Sequence, residues 1–298
     1  MTASQMPDGA GPRADAARID LVVTADDFGA DEAVNEAVER AHRDGVLTAA
    51  SLMVTGHAVD DAVARARRLP SLGVGLHLVL VDGQSALPPA PGRALADAQG
   101  RFYDNMALTG LRLAISPAAR RELAAEIEAQ FAAFARTGLP LDHVNAHKHF
   151  HVHPVIARMV VDAARRHGAR AIRAPVEPGS PRGSARLAVA FARWLRARAR
   201  RAGLAVPDRV FGLAESGRMD AGAMARAVAG LEGGLNEIYL HPATRDEWPG
   251  HAPGYRYRDE MEALLDPAVI AGVAKAGADL GPFARFAAAG AGLAGVGA

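Results

Sequence analysis

The chain has 298 residues, of which half are hydrophobic and 22% are charged, and its formal net charge is +1. This length fits either one large α/β domain or two modest ones, and the composition is that of an ordinary globular protein. The small net charge creates no general field for nucleic acid, so we expect no nucleic-acid partner. The absence of cysteine excludes disulfides, thiolate metal sites and a cysteine nucleophile. A metal ion would need nitrogen and oxygen ligands.

The two ends of the chain differ in composition from the part between them. Residues 1–18 are polar and rich in Gly, Pro and Asp, which predicts a disordered leader without the layout of a signal peptide. Residues 19–285 are the predicted folded domain, and residues 286–298 a flexible Ala/Gly tail. No apolar run approaches the ~20 residues that span a bilayer. We expect a cytoplasmic protein, with a peripheral place at the inner face of the membrane as a further option.

Two adjacent aspartates, Asp26 and Asp27, follow the first predicted strand, the β-branched apolar run Ile19–Thr24. Neighbouring carboxylates are unusual at such a place because each disfavours the ionisation of the other. The alternative is a turn that leads into the next helix, which Asp31 could cap without help. Since a cap does not need two preceding aspartates, we favour a functional pair.

Single polar residues stand in or after the later predicted strands. His77 lies inside the apolar run Leu72–Leu80, and a lone strand histidine is more often a core residue than a ligand. Its meaning therefore depends on the polar residues at the ends of the other strands. These are His147 after Leu141–Ala146, Arg173 in Ala171–Pro175, and His241 after Leu235–Leu240.

The segment 143–153 contains five histidines among the eleven of the whole chain. They are His143, His147, His149, His151 and His153. All are odd-numbered, so they would point to one side wherever the segment is extended. Imidazole is a common metal ligand and titrates near neutral pH. The alternative is an accidental polar loop, and we favour metal chemistry because histidine clusters often mark metal sites.

The order of the elements predicts an α/β fold. Strand and helix alternate about seven times, and the strands are almost continuously apolar, which is typical of a parallel sheet covered by helices. The choice lies between a (β/α) barrel and a doubly wound sheet. No G-x-G-x-x-G motif follows the first strand, and this argues against a dinucleotide-binding fold. The polar residues gather at strand ends, where barrels assemble their sites, so we predict a single-domain TIM-like (β/α) barrel, complete or incomplete.

These residue types in this arrangement favour metal-assisted hydrolysis. One carboxylate and two imidazoles from separate strands would hold a metal with open positions for water and substrate. A second carboxylate could accept a proton from the water, and a further histidine could protonate a leaving amine. A serine hydrolase would need a nucleophile motif such as G-x-S-x-G, which the chain lacks. A glycosidase would need two opposed carboxylates, whereas Asp26 and Asp27 are adjacent. A sugar isomerase or epimerase, or a non-catalytic metal- or lipid-binding protein, stays open.

Four motifs in this order resemble the YdjC-like carbohydrate deacetylases. They are Thr24–Gly29, Gly75–Leu78, His147–His151 and His241–Ala243. The wording around the histidines is most similar to the hopanoid-biosynthesis-associated subgroup. The resemblance implies a distorted (β/α) barrel and a divalent-metal hydrolase that deacetylates N-acetylglucosamine-type amides. For the subgroup it implies an N-acetylglucosaminyl hopanoid lipid of the bacteriohopanetetrol type as substrate.

The resemblance also implies roles for individual residues. Asp27, His77 and His147 would bind one divalent metal ion, with Zn favoured over Mg, Mn, Co or Ni. Asp26 would be the general base and His241 the general acid. Four residues would contact the substrate or support the metal ligands: His149, His151, Arg173 and Asn145. The chain departs from chitooligosaccharide-type relatives at Asn145–Ala146, where they tend to have Asp-Ser, and a deacetylase of that type is the alternative.

Three features remain open on the sequence alone. The segments 81–105 and 244–257 have no clear period and could act as substrate-side lids. In the helix predicted over 184–201, an apolar face opposes an arginine face, and we favour a packed barrel helix over contact with anionic lipid. That apolar face comprises Leu187, Phe191, Trp194 and Leu195. The oligomeric state is not determined, and a homodimer is one option.

Overall fold

The computed structural model describes residues 18–179, 183 and 185–290. The rest of the predicted leader, and residues 291–298 of the predicted tail, lie outside this range. Eight strands are present in the described part of the chain. They are β1 Ile19–Phe28, β2 Ala49–Leu52, β3 Gly73–Leu78, β4 His143–Ala146, β5 Ala171–Ile172, β6 Arg209–Phe211, β7 Gly234–Leu240 and β8 Asp279–Leu280.

The strands form one parallel sheet that curls into an incomplete barrel. Its order is β5-β4-β3-β2-β1-β7-β6, and β8 pairs with β1. The edge strands β5 and β6 approach each other through an isolated bridge between Ala171 and Ala205. The amide of Val210 also donates a hydrogen bond to the carbonyl of Val176 across the same gap. The predicted fold class, a distorted TIM-like barrel, is confirmed.

Ten α-helices and one 3-10 helix connect the strands in the described residues. They are α1 Glu32–Asp44, α2 Val59–Ala66, α3 Met106–Ile115, α4 Pro117–Arg136, the 3-10 helix His147–Val152, α5 Pro154–Arg166, α6 Ala185–Arg201, α7 Ala221–Ala229, α8 Tyr257–Leu265, α9 Pro267–Lys275 and α10 Phe283–Gly290. Asp31 caps α1, as expected, by accepting a hydrogen bond from the amide of Ala33. None of the described helices is both long and apolar enough to cross a membrane.

The interior of the barrel is polar, whereas the outer faces of its strands are apolar. On β1, Val23 and Ala25 join the main hydrophobic core, while the side chains of Thr24 and Asp26 point the other way. Asp26 contacts Arg173, which follows β5, although three strands separate β1 from β5 in the sheet. Such a contact is only feasible across the inside of a barrel. The sheet therefore brings its polar residues together in the centre.

An apolar plug lies beside this polar interior. Val22, on the same face of β1 as Asp26 but nearer its N-terminal end, packs with Ala171, Phe283 and Phe286. Phe283 and Phe286 belong to α10, which includes residues 286–290 of the segment predicted as a tail. The helix thus contributes buried side chains to the barrel before the chain leaves the described range.

The segment predicted as a structureless loop over 81–105 is anchored to α4. Two antiparallel bridges, Gln84–Arg101 and Ala96–Phe102, give it internal order. The carboxylate of Glu126 accepts a hydrogen bond from the amide of Ala86 at 2.7 Å. Helix α3, which was not predicted, follows directly. These contacts hold the segment against α4.

Candidate metal and active site

Unusual backbone conformations aim the site residues. Asp27 has a φ of 61°, and the pairing of β1 with β2 is interrupted between Ala25 and Phe28. Lys148 and His149, inside the 3-10 helix, also have positive φ values of 51° and 52°. Residues other than glycine rarely adopt this region, and when they do they cluster at functional sites. Both segments lie at the carboxyl ends of their strands.

The predicted metal ligands Asp27, His77 and His147 come together. Their ligand atoms all lie within 4.8 Å of one another, and they are the one such group found among the described residues. Asp27 Oδ1 is 3.2 Å from His77 Nε2 and 3.2 Å from His147 Nδ1. Although burial raises it, the pKa of Asp27 is held well below the usual range of an aspartate by His147 and His77.

The chemistry of these three side chains fits a divalent cation. An N,N,O set with open positions suits Zn and other first-row metals. His77 already uses its other ring nitrogen, Nδ1, in a hydrogen bond of 2.7 Å to Asn145, which leaves Nε2 to face Asp27. Metal-ligating histidines are commonly oriented in this way. The predicted residues are therefore able to hold a metal.

Asp26 lies beneath this cluster in a buried ion-pair layer. Arg173 donates to both of its carboxylate oxygens, at 2.5 and 3.0 Å, and also contacts Glu237 at 2.7 Å. Burial raises the pKa of Asp26, but the charge of Arg173, and then that of His77, lowers it well below its ordinary value. Asp26 also lines the central cavity. The aspartate thus stays ionised while remaining within reach of a bound molecule.

Two of the clustered histidines support this layer. His149 Nε2 lies 2.9 Å from the hydroxyl of Tyr239, whose ring stacks under the Arg173 guanidinium at 4.4 Å. His151 donates through Nε2 to the carbonyl of Arg173 at 2.7 Å. Burial, followed by the charge of Arg173, lowers the pKa of His149 well below its ordinary value. Both rings are therefore neutral groups near neutral pH.

The five histidines of 143–153 do not share one side, because the extended conformation ends at Ala146. Past that residue the 3-10 helix turns the side chains in different directions. His147 faces Asp27, whereas His153 faces α3, where a Cβ at Gly110 would lie 3.2 Å from its ring. His143 points into the barrel and contacts Asp142 and Ser51.

His241, the predicted acid, lies at the end of β7 and lines the same cavity as Asp26 and Asp27. Its backbone amide donates to the Glu260 carboxylate, which also accepts from the amide of Met219 at 3.0 Å. Burial raises the pKa of Glu260, and the charge of His241 opposes that effect. The imidazole Nδ1 of His241 is buried and has no hydrogen-bond partner within the described protein. This nitrogen faces Glu260, whose Oε2 lies 3.8 Å away.

The cavity above these residues has a volume of about 530 Å³. The segment 244–257 forms one wall with aromatic rings, including Trp248 and Tyr255. Sequence reasoning placed segment 244–257 on the substrate side as a candidate lid, but it missed Glu237 and Tyr239, which lie inside the apolar-looking strand β7. The signal that could have identified them is Glu237, a charged residue inside a predicted buried strand.

The fold and the site together define a class of protein, a parallel α/β barrel with a candidate Asp–His–His metal centre at the carboxyl ends of its strands. The chain belongs to the YdjC-like protein family, whose sequence profile matches residues 20–275. The predicted resemblance is confirmed at the level of the family.

Individual relatives agree with this assignment. A carbohydrate deacetylase from Mus musculus is 31% identical in an alignment 305 positions long. That alignment covers 88% of this chain and 93% of the relative. A carbohydrate deacetylase from Brevibacillus brevis is 41% identical over 144 residues, and that alignment covers 48% of this chain and 55% of the relative, about half of each. A crystal structure from Enterococcus faecalis V583, of a protein named for cellobiose-phosphate cleavage, covers 91% of this chain and 99% of its own with a TM-score of 0.72. At 21% identity, that structure supports the fold alone.

Proposed function

We propose that this protein is a metal-dependent carbohydrate N-deacetylase. The observation that carries the proposal is the Asp27–His77–His147 cluster on the floor of a cavity at the carboxyl ends of the strands. The mouse relative, which is covered over 93% of its length, bears the name carbohydrate deacetylase. A divalent metal held there, Zn in our proposal, would act as a Lewis acid toward water and the acetyl carbonyl.

The residues around the cluster would then divide the proton transfers. Asp26 is ionised and lines the cavity, so we assign it the proton from the attacking water. His241, which lines the same cavity, would protonate the leaving amine. His149 and Tyr239 would contact the sugar at the cavity wall. Arg173 and Asn145 would hold Asp26 in place, since both donate hydrogen bonds to it.

Acetate release by variants tests this division. Asp26→Asn should lower kcat by about 10²–10⁴, the usual contribution of a general base, while its metal content stays unchanged. Asp31→Asn, a carboxylate on the same segment that caps α1, is the matched control and should keep its activity because asparagine also caps helices. A loss below tenfold in Asp26→Asn would reassign the base.

An apolar groove beside the catalytic cavity favours a substrate with an apolar part. The groove has a volume of about 710 Å³, and Lys148, His149 and Leu213 line both spaces. Its other walls include Phe150 and Phe191. A sugar in the polar cavity would place an attached apolar group at the groove. We therefore propose a glycosylated hopanoid lipid of the N-acetylglucosaminyl bacteriohopanetetrol type as the substrate.

A substitution in the groove separates lipid from oligosaccharide substrates. Val189→Gln places an amide in the groove and should lower kcat/KM for an N-acetylglucosaminyl lipid by about tenfold, because a buried polar group weakens apolar contact. N,N′-diacetylchitobiose, which has no apolar part, should react equally with both proteins. Ala190→Gln, exposed on the same helix, is the control. Release from diacetylchitobiose alone would favour the chitooligosaccharide alternative.

We also propose that the rim of the groove touches the membrane that would hold such a lipid. Leu108, Leu111 and Ile115 lie at helical spacing on α3 and are 44%, 56% and 70% exposed. Leu187, on α6, is 60% exposed, whereas Leu195 of the same predicted face is buried in the core. The unmodified protein should co-sediment with anionic liposomes at low salt, and the Leu111→Glu variant should stay in the supernatant. An absence of binding by the unmodified protein would contradict the contact.

A further inference from the structure

A line of buried hydrogen bonds runs from the candidate ligand His77 to Asp142 through the barrel interior. His77 Nδ1 lies 2.7 Å from Asn145 Oδ1, and Asn145 Nδ2 donates to Ser51 Oγ at 2.9 Å. Ser51 Oγ lies 2.9 Å from His143 Nε2. His143 Nδ1 lies 2.9 Å from Asp142 Oδ2. We call Asn145, Ser51, His143 and Asp142 the relay.

The chemistry of its members gives the relay one direction. The carboxylate of Asp26 is paired with Arg173 and can only accept hydrogen bonds. The side-chain atom of Asn145 that lies 2.9 Å from it must therefore be the amide nitrogen. The amide oxygen of Asn145 therefore faces His77 and accepts from Nδ1–H. The second amide hydrogen goes to Ser51.

The same reasoning continues to the far end. Because the Ser51 oxygen accepts from Asn145, its own hydrogen is free to go to His143 Nε2. His143 then carries its hydrogen on Nδ1 and donates it to Asp142. The carboxylate of Asp142 also accepts from the amide of Ala284, at 2.7 Å, in the first turn of α10. Every hydrogen in the line points away from the metal site, toward Asp142.

Two glycines on β3 leave room for this line. A Cβ at Gly75 would lie 2.5 Å from the ring of His143, and one at Gly73 would lie 2.7 Å from Asp142 Oδ2. Gly73, Gly75 and His77 are every second residue of the strand, so all three lie on one face. The sequence Gly-Val-Gly-Leu-His thus places the ligand and the space for its supporting line on the same side.

Ser51, His143 and Asp142 have the order of a serine-hydrolase triad, but their surroundings exclude that role. Ser51 and His143 are 0% exposed, so a substrate has no approach to the hydroxyl. The residues can act only through their neighbours. The neighbour at the upper end is a candidate metal ligand.

We propose that the relay sets the tautomer of His77 and strengthens metal binding at the site, with Asn145, Ser51, His143 and Asp142 as positioning residues. An Nδ1–H imidazole presents the Nε2 lone pair to the cation, and the aligned donors that end on a carboxylate make the ring a better ligand. Asn145 is the junction because an aspartate there would have no hydrogen to donate to Ser51 or Asp26. The inference rests on the metal site of the proposed function.

The first test needs no substitution. Nitrogen-15 NMR of the histidine-labelled protein reports which ring nitrogen of each imidazole carries hydrogen. We expect Nδ1–H on both His77 and His143. An Nε2–H tautomer of His143 would break the direction of the line and overturn the proposal, whether or not the protein deacetylates anything.

The second test measures the Kd for Zn²⁺ by competition with a chromogenic chelator. Ser51→Ala removes the hydroxyl in the middle of the line, and Asp142→Asn replaces the carboxylate at its end with an amide that can donate a hydrogen bond. Each should weaken Zn²⁺ binding by about tenfold, as the loss of an outer partner of a metal ligand does. Thr48→Val removes another buried hydroxyl, which bonds only to the backbone of Val23, and should leave the Kd unchanged.

The outcomes separate the relay from the site. Unchanged Zn²⁺ affinity in folded Ser51→Ala and Asp142→Asn overturns the relay while the metal site stands. A wild-type protein that binds no Zn²⁺ contradicts the metal site, and with it the role we give the relay. A loss that is equal in Thr48→Val shows a general effect of buried hydroxyl loss and also overturns the proposal.

Discussion

Asp26 and Asp27 are neighbours in the sequence but belong to two different regions of the barrel. Asp26 is 2% exposed and lies in what we call the dry layer, with Arg173 and Glu237. The side chain of Asp27 is 15% exposed and lies in the cavity layer, with His77 and His147. The dry layer pairs two carboxylates with one guanidinium, and the cavity layer gathers three candidate ligands at distances that suit a shared cation.

The separate surroundings explain how two adjacent carboxylates can both stay ionised. Each has its own positive or polar partners. The positive φ of Asp27 interrupts the alternation of the strand, which would otherwise point its side chain to the opposite face, so that both aspartates line the cavity. The two layers should therefore respond differently to substitution. Loss of Arg173, the cation of the dry layer, should mainly affect folding, and loss of a cavity-layer residue should mainly affect metal binding.

The largest expected effect is on the dry layer. Arg173→Met should lower the free energy of unfolding by about 3–5 kcal/mol, because it leaves two buried carboxylates without a counter-charge. Urea denaturation of the metal-free protein measures the loss. Arg198→Met, which removes a partly exposed pair with Asp162, is the control and should cost less than about 1 kcal/mol. Equal losses would mean that the dry layer contributes no more than a surface pair.

The next effect concerns the cavity layer. Asp27→Asn should weaken Zn²⁺ binding more than about 100-fold, since a direct ligand should matter more than the outer partners, whose loss costs 10–100-fold. This corresponds to about 2.7 kcal/mol. Asp26→Asn, one residue away, should change the Kd by less than tenfold. Competition with a chelator gives both constants, and equal losses in the two variants would remove the distinction between the layers.

The sequence was sufficient for the barrel and for the residues at its strand ends. Asp26, Asp27, His77 and His147 stand out because a charged or imidazole group interrupts or follows an apolar run. Their separate surroundings were not predictable, since they depend on Arg173, a contact that spans 147 positions of the chain. Long-range contacts of this kind carry no local pattern.

Other parts of the site lacked even a local signal. Ser51 is a small residue in a buried strand, and nothing in its neighbourhood distinguishes it from a packed serine. The odd-numbered histidines predicted a common side only while the chain is extended, and the positive φ of Lys148 and His149 ends that regularity. The exposed apolar row on α3 has helical spacing, but periodicity does not say which face is covered.

The smallest of these effects tests whether the dry layer extends to His151, which is 0% exposed. Burial lowers the pKa of His151 to about 4, and its hydrogen bond to the Arg173 carbonyl only partly opposes this. An unfolded histidine titrates near 6.5, so between those values the unfolded chain binds the proton more readily and stability falls as the pH is lowered. From pH 7 to pH 5 the loss should be about 2 kcal/mol. His151→Gln keeps a donor for the carbonyl but does not titrate, so urea denaturation of the metal-free variant should show a pH dependence flatter by that amount. Identical pH dependence in both proteins would mean that His151 titrates alike in the folded and unfolded chain, and this would place it outside the dry layer.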